Sequence, residues 1–248
     1  MTARIVMALL GISTFWACGS DPVTTPEQPT YERGLHEVGV MTRPRFEHAA
    51  TLLQNGKVLI VGGNAEMPPA EPGVPFRPNG LVSAEIFDPE TGVSTPTGNM
   101  TASRWDDHGI LLPDGRALIV SGILNIPIEK YDPHSGRFDS AANAPWSSGT
   151  TTATLLPNGE VFLTSSHQTG VFDPATGTFS ATFRMYPNRV GHTATLLKDG
   201  RVLIVGGALF GGNWLLGQNL IYDPSTDAFL EAGNLQFDRR NHKAVLLQ

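Results

Sequence analysis

The apolar positions of this chain occur in short runs separated by turn-forming residues, and no stretch has a convincing helical period. Four segments share one pattern, in which an apolar strand stops at Asn-Gly or Asp-Gly and a second apolar run follows. These dipeptides are strong signals for tight β-hairpins. The second runs are Val58–Val61, Ala117–Val120, Val161–Leu163 and Val202–Val205. Because they are continuously apolar rather than alternating, we expect strands that are buried on both faces.

Each segment continues to an aromatic residue followed by Asp-Pro, at Phe87–Pro89, Tyr131–Pro133, Phe172–Pro174 and Tyr222–Pro224. Asp-Pro with Gly near the exit is typical of a tight turn into a further strand, so we interpret these carboxylates as turn formers. Each unit then has four strands, and the hairpin glycines lie 41 to 59 residues apart. Repeats of this length are typical of propeller blades. The pattern predicts an all-β antiparallel propeller with four complete four-stranded blades.

The repeat resembles the kelch family over about residues 31–248. The resemblance rests on Arg, a short gap and His before the first strand, on Gly-Gly after the second strand, and on the aromatic-Asp-Pro turn. Gly-Gly is intact at Gly62-Gly63 and Gly206-Gly207, reduced to Ser121-Gly122 in the second unit, and lost at Thr164-Ser165 in the third. The resemblance implies a kelch-type β-propeller, although such propellers usually close with more blades than this chain supplies.

The two ends of the repeat region predict an additional, incomplete blade. Residues 31–41 resemble the fourth strand of a preceding blade, because Val40-Met41 aligns with Asn99-Met100. Residues His242–Gln248 fit a first strand that stops before its hairpin. Two alternatives stay open, a truncated piece of a longer protein and an open arc with one defective blade. An open arc leaves a strand edge and an apolar face in water, which favours aggregation.

Residues 1–18 contain one Arg and then an apolar stretch that ends at Cys18, the only cysteine of the chain. This is typical of a secretory signal and is too short for a membrane-spanning helix. It resembles a bacterial lipoprotein signal, which implies that Cys18 is lipidated, with ordinary cleaved secretion as the alternative. Residues 19–30 contain three prolines and few apolar side chains, so we expect a disordered linker. The expected location is the bacterial cell envelope, at the outer membrane or the surface, with the lipid anchor in the membrane.

The chain has 248 residues, a formal net charge of −6 and 16% charged residues. The low charge content excludes a coiled coil, and the acidic balance argues against a nucleic-acid partner.

One end of the predicted propeller collects the candidate ligand-binding residues, because the loops before strand one and between strands two and three open there. Arg recurs at the entry to the first strand, with His or Asp three residues later. The candidates are Arg45, His48, Arg104, Trp105, Asp107, Arg189, His192, Trp214, Arg239 and His242. Positions that do not recur in every unit are better candidates than the repeated ones, and they are Trp105, Asp106, Asp107, His108, Trp146 and Trp214.

Two interpretations of the repeated Arg and His stay open. They form a cationic, aromatic-rimmed mouth for an acidic or carbohydrate ligand, because Arg binds carboxylates in two-pronged fashion and Trp stacks on sugars. Alternatively, they bond to carbonyls and carboxylates of the next blade and lock the blades together.

We predict no metal and no cofactor. His48, His192 and His242 come from different blades, but no second Cys, short-spaced His pair or carboxylate cluster accompanies them. The expected function is a non-catalytic, envelope-displayed kelch propeller that binds a protein or a glycan. The alternative is a carbohydrate-active enzyme, of the sugar isomerase or oxidase type. The copper radical oxidases that this repeat also resembles need a Tyr–Cys cross-link, which the single Cys in the export signal excludes.

Overall fold

The computed structural model describes residues 4–7, 36–65, 80–121, 126–146, 152–209 and 214–247. Over these ranges the chain forms strands and turns without any helix, so none is present there that could span a membrane. Cys18, most of the predicted export signal and the predicted linker over 19–30 lie outside the described residues.

Four antiparallel sheets of four strands make up the body of the molecule, and we number them sheets 1 to 4. A two-stranded antiparallel sheet of β1 (Arg4–Met7) and β2 (His36–Val40) precedes them. Sheet 1 consists of β3 (Ala49–Leu52), β4 (Val58–Val61), β5 (Ala84–Asp88) and β6 (Val93–Pro96), and sheet 2 of β7 (Asp107–Leu111), β8 (Ala117–Ser121), β9 (Pro127–Asp132) and β10 (Arg137–Asn143). Sheet 3 consists of β11 (Thr152–Leu155), β12 (Val161–Thr164), β13 (Gln168–Asp173) and β14 (Thr178–Arg184). Sheet 4 consists of β15 (Thr193–Leu196), β16 (Val202–Val205), β17 (Gln218–Asp223) and β18 (Ala228–Asn234).

Each sheet pairs its strands in chain order, and the first strands of successive sheets lie next to one another. The four sheets therefore stack face to face with their first strands gathered at one side, as blades do. The prediction of an all-β protein with four four-stranded antiparallel units is confirmed at this level, and the arrangement is propeller-like.

The second strand of each sheet is the apolar layer between neighbouring sheets. In sheet 2, Ala117 and Ile119 pack against sheet 1, whereas Leu118 and Val120 pack against sheet 3. All four side chains are at most 1% exposed. The prediction of strands buried on both faces is confirmed for sheets 2 and 3, where alternate side chains of one strand serve two different interfaces. In sheet 4, Leu203 of β16 is partly exposed.

The predicted turns form as the sequence indicates. Gly56 has φ 78° in the first hairpin, and the amide of Leu53 donates to the carbonyl of Lys57 at 2.8 Å. In the Asp-Pro turn of sheet 2, the carboxylate of Asp132 accepts from the amide of His134 at 2.8 Å, which lowers the pKa of Asp132. A side chain that caps its own turn in this way is structural.

The ends of the described chain differ from the predicted incomplete blade. Residues 242–247 form no strand, because no described strand lies alongside to pair with them. Strand β2 pairs with β1 instead, and Met41 after it packs on Ile60 and Phe87 of sheet 1. A strand is thus present within residues 31–41, paired with β1 and beside sheet 1, whereas residues 242–247 of the expected first strand form none.

Candidate functional site

An axial cavity of about 680 Å³ opens at the side where the first strands begin. Its walls come from β7, β11 and β15, from the segments that enter sheets 1, 2 and 4, and from residues 241–244. Its polar lining includes Glu47, Asp106, His108, His192, His242 and Lys243. The cavity is therefore shared by all four sheets, and its chemistry depends on side chains that are distant in sequence.

Left-handed residues form the rim of the axial cavity. Glu47, Asp106, Gly191 and Asn241 have φ of 54°, 55°, 67° and 55°, and each stands directly before the repeated His or Asp position. The amide of Asp106 donates to the carbonyl of Glu47 at 3.0 Å, and that of Asn241 to the carbonyl of Gly191 at 2.7 Å. A non-glycine residue in this conformation costs about 1–3 kcal/mol, and such strain concentrates at binding sites.

Sequence reasoning missed Glu47 and Asn241. The signal that was available is the position directly before the repeated His or Asp, where Asp106, Gly191 and Asn241 are residue types that tolerate positive φ. Glu47 shares this position, but its residue type does not indicate the conformation. Glu47 is held in place by Asn64, whose side-chain amide donates to the Glu47 carboxylate at 3.0 Å.

The repeated arginines are buried inside their own sheets. Arg45 donates to the carbonyls of Gly62 and Ser83, both at 2.9 Å. The equivalent Arg189 donates to the carbonyls of Gly206 and Gln218 at 3.1 and 2.8 Å. Each guanidinium thus clamps the segment that enters a sheet to the loops beside its second and third strands.

Arg104 of sheet 2 adds a carboxylate to the same clamp. It donates to the carbonyl of Pro127 at 3.0 Å and to the carboxylate of Glu129, and both side chains are fully buried. Arg45, Arg104 and Arg189 are therefore not available to a ligand as the cationic mouth requires. The alternative of a lock to the next blade also needs correction, because these bonds stay within one sheet.

Burial lowers the pKa of these arginines to different degrees. Coulombic attraction to Glu85 and Glu129 opposes the lowering of the pKa of Arg45 and Arg104, respectively. The pKa of Arg189 falls to about 10 through burial alone. When the repeats are aligned at their Asp-Pro turns, Leu220 of sheet 4 stands where sheets 1 and 2 have Glu85 and Glu129. Arg189 therefore lacks a neighbouring glutamate, and its guanidinium donates to backbone carbonyls.

Two of the repeated histidines contact the sheet that precedes them, through threonine hydroxyls rather than the carbonyls and carboxylates of the next blade that the locking interpretation predicts. His192, which enters sheet 4, shares a 2.6 Å hydrogen bond through Nε2 with the Thr164 hydroxyl of sheet 3. Thr164 in turn bonds the Thr152 hydroxyl at 2.6 Å. His242 reaches the Thr193 hydroxyl of sheet 4 in the same way, at 3.1 Å. Burial lowers the pKa of His192 to about 3, so the imidazole is neutral at physiological pH.

Asp107 takes the place of this His in sheet 2. It is 7% exposed, and its carboxylate lies so close to Gly62 of sheet 1 that a Cβ at that glycine would overlap it. Burial raises the pKa of Asp107 to about 7, although the Arg104 guanidinium acts in the opposite direction. Asp107 therefore belongs to the interface between sheets 1 and 2 rather than to an open ligand site.

The three candidate tryptophans differ in their location and in the exposure of their side chains. Trp105 lines the axial cavity, and its ring lies against Gly80. Trp214 is 77% exposed on the loop after Leu209. Trp146 is buried, with its ring centroid 5.4 Å from that of Phe179, and serves the core.

His48 and Arg239 complete the set. His48 is half-buried beside Arg45, and burial lowers its pKa. Arg239 is exposed, and its Nε donates to the carbonyl of Phe237, at 3.2 Å, two residues before it.

The electrostatics of the axial cavity differ from the expected cationic mouth. Its charged side chains are Glu47, Asp106 and Lys243. Burial lowers the pKa of His108 and His242, as it does for His192, which keeps the imidazoles neutral. Among the described residues, no group of three or more His, Cys, Asp or Glu side chains is placed to hold a metal ion.

No protein-family model matches the chain, and no curated protein matches it. The fold defines an all-β protein of stacked antiparallel sheets.

Proposed function

We propose that this chain is a kelch-like β-propeller that acts as a non-catalytic binding module on the cell envelope, with a glycan as its ligand. The observation that supports it is the axial cavity, whose rim is built from strained residues of several sheets. The volume of about 680 Å³ is in the range of ligand pockets.

The polar groups of the axial cavity favour a ligand with many hydroxyl groups. Glu47 and Asp106 are exposed and offer carboxylate acceptors, and the neutral imidazole of His108 can both donate and accept. Trp105 adds an aromatic surface on which a sugar ring can pack. With two carboxylates and one ammonium group, the lining favours neutral over acidic saccharides.

The binding test uses the purified protein and isothermal calorimetry with cellotetraose, maltotetraose, chitotetraose and tetragalacturonate. We expect a neutral tetrasaccharide to bind and Asp106→Asn to weaken binding about tenfold, a change of about 1.4 kcal/mol. Asp114→Asn is the matched control, because Asp114 is exposed on a hairpin turn outside the cavity lining. Binding of none of the four contradicts the glycan proposal. Binding of tetragalacturonate alone contradicts the preference for neutral saccharides, and turnover of a bound sugar contradicts a non-catalytic role.

The envelope location rests on Cys18 and is tested separately. In a bacterial host we expect the protein in the membrane fraction and labelled by a fatty-acid analogue. Cys18→Ala should abolish the label and release the protein from that fraction. An unlabelled but exported wild-type protein supports ordinary secretion instead.

A further inference from the structure

A short ribbon of loop segments at sheet 4 continues the wall of the axial cavity. The amide of Val190 donates to the carbonyl of Ala208 at 2.8 Å, and the amide of Ala208 donates back at 2.9 Å. Ala208 forms a second antiparallel bridge with Leu215. Val190 directly precedes Gly191, which lines the axial cavity. We call residues 186–190, 208–209 and 214–216 the rim ribbon.

Trp214 of the rim ribbon has a fixed backbone and a side chain in solvent. In sheet 1 the third segment of the equivalent ribbon is represented by Gly80, and the Trp105 ring of the axial cavity lies against it. Leu215 holds the place of Gly80 in sheet 4. The Leu209 amide donates to the carbonyl of the adjacent Trp214 at 2.9 Å, and Trp214 is 77% exposed. The indole is thus held beside the axial cavity and is accessible to a ligand.

Tyr186 of the rim ribbon departs from the repeat. It stands three residues before Arg189, where sheets 1 and 2 have a threonine before their arginine. The backbone amide of that threonine binds a buried glutamate, as Thr42 does with Glu85 at 2.9 Å. Sheet 4 has Leu220 in place of the glutamate, so this contact is not open to Tyr186. The tyrosine side chain is 89% exposed and therefore contributes little to the packing of the sheets.

We propose that Tyr186 and Trp214 form a stacking platform beside the axial cavity, and that the two together bind a linear β-1,4-linked pyranose chain of the cellulose or chitin type. This inference rests on the proposed glycan function and names the class of glycan. In such a chain the ring substituents are equatorial, so each sugar presents apolar C–H faces that pack on an aromatic ring. The axial cavity takes the first sugars through their hydroxyls, and the platform takes the next ones through their faces.

The surroundings of the platform favour a sugar chain over a lipid surface. The rim ribbon adjoins a cavity whose lining includes the exposed carboxylates of Glu47 and Asp106. An acyl layer that covered the aromatic rings would also desolvate this polar rim, which is unfavourable. A sugar chain can hydrogen-bond to the rim with its hydroxyl edges while its ring faces lie on Tyr186 and Trp214. Tyrosine and tryptophan suit such a ligand because each combines an apolar ring with a polar O–H or N–H group.

The test measures how affinity depends on the length of the sugar chain. Isothermal calorimetry uses the disaccharide, tetrasaccharide and hexasaccharide of the cello-, chito- and malto-oligosaccharide series. We expect affinity for the purified protein to rise at least about tenfold from the disaccharide to the hexasaccharide in the cello or chito series, and much less in the α-linked malto series. The double variant Tyr186→Ala/Trp214→Ala should lose this gain and keep the wild-type affinity for the disaccharide. Tyr186→Phe/Trp214→Phe is the matched control, which keeps both rings and should keep most of the gain.

An equal gain with chain length in the alanine variant overturns the platform. The proposed glycan function then still stands if Asp106→Asn weakens binding of the disaccharide. An equal or larger gain in the malto series overturns the assignment to β-1,4-linked chains, and failure of every saccharide to bind overturns both proposals. Binding to phosphatidylglycerol vesicles that the phenylalanine variant keeps and the alanine variant loses, with no gain for longer sugars, overturns the platform in favour of membrane contact.

Discussion

Sheets 2 and 4 bury an arginine at the same position but surround it differently. Arg104 of sheet 2 donates to the Glu129 carboxylate and to two carbonyls. Arg189 of sheet 4 donates to three carbonyls and, among the described residues, to no carboxylate. Leu220, which packs in the apolar core, stands in sheet 4 where Glu129 stands in sheet 2. The carboxylate is therefore not required for the clamp, and the carbonyl contacts are its shared element.

The same two sheets differ at the position three residues later. Sheet 4 has the neutral His192, bonded across the interface to Thr164, and sheet 2 has Asp107 against Gly62. Burial shifts both groups toward their uncharged forms. Both interfaces hold the residue in its neutral form. Because Asp107 becomes charged as the pH rises and His192 becomes charged as the pH falls, the two interfaces respond to pH in opposite directions.

The largest expected loss of stability distinguishes Arg104 of sheet 2 from Arg189 of sheet 4. Arg104→Gln leaves the Glu129 carboxylate buried without its partner, so we expect a loss of about 3–5 kcal/mol in the free energy of unfolding. Arg189→Gln leaves only carbonyls unsatisfied, so we expect a loss of about 1–3 kcal/mol. Urea unfolding measures both. The exposed Arg137→Gln is the control, and equal losses for the two buried arginines would contradict the comparison.

The second prediction concerns pH. In the folded protein the pKa of Asp107 is about 7, above its ordinary value of 3.8, so the folded state binds the proton more tightly. Its contribution to stability is complete below pH 4 and is lost as the pH rises through about 7. Relative to wild type, Asp107→Asn should therefore gain on the order of 2–3 kcal/mol in unfolding free energy between pH 5 and pH 8.

Urea titrations at the two pH values measure this gain. Asp139→Asn, at an exposed carboxylate on β10 of the same sheet, is the control and should follow the wild-type pH dependence. A wild-type protein whose stability does not fall between pH 5 and pH 8 relative to Asp107→Asn would count against a protonated Asp107.

A third change makes sheet 4 resemble sheet 2. Leu220→Glu and Leu220→Gln remove the same apolar packing, but only the glutamate offers Arg189 a counter-charge. We expect the Glu variant to be more stable than the Gln variant by about 1–2 kcal/mol at pH 7, as for a hydrogen bond to a charged group. Thermal unfolding compares the pair. The reverse order would mean that desolvating the carboxylate costs more than the ion pair returns.

The smallest change in stability is expected at Arg239, the last of the repeated arginines. The side chain of Arg239 is exposed, and within the described residues its guanidinium donates to the carbonyl of Phe237, two residues before it. Arg239→Gln should therefore change the unfolding free energy by at most about 0.5 kcal/mol, unlike either buried arginine. A loss as large as that of Arg189→Gln would show that Arg239 is clamped in the same way as Arg189.

Much of the fold was predictable because its signals are local. The Asn-Gly hairpins, the Asp-Pro turns and the continuous apolar run over Ala117–Val120 depend on neighbouring residues, and each forms as expected. Residues 242–247 of the predicted first strand have the same local pattern but form no strand. A strand requires a partner for its backbone groups, and the local pattern does not state whether one is present.

The candidate site was predicted less well, because its residues are placed by contacts between sheets. The recurrence of Arg and His was visible in the sequence, but it could not show that the arginines point into carbonyls of their own sheet. It also could not show that Glu47 and Asn241 take left-handed conformations at the rim of one cavity. The sequence by itself determined the strands and turns, because propensity and hydrophobic periodicity act over a few residues. The tertiary structure alone decided which polar groups are buried, because burial depends on how the sheets stack.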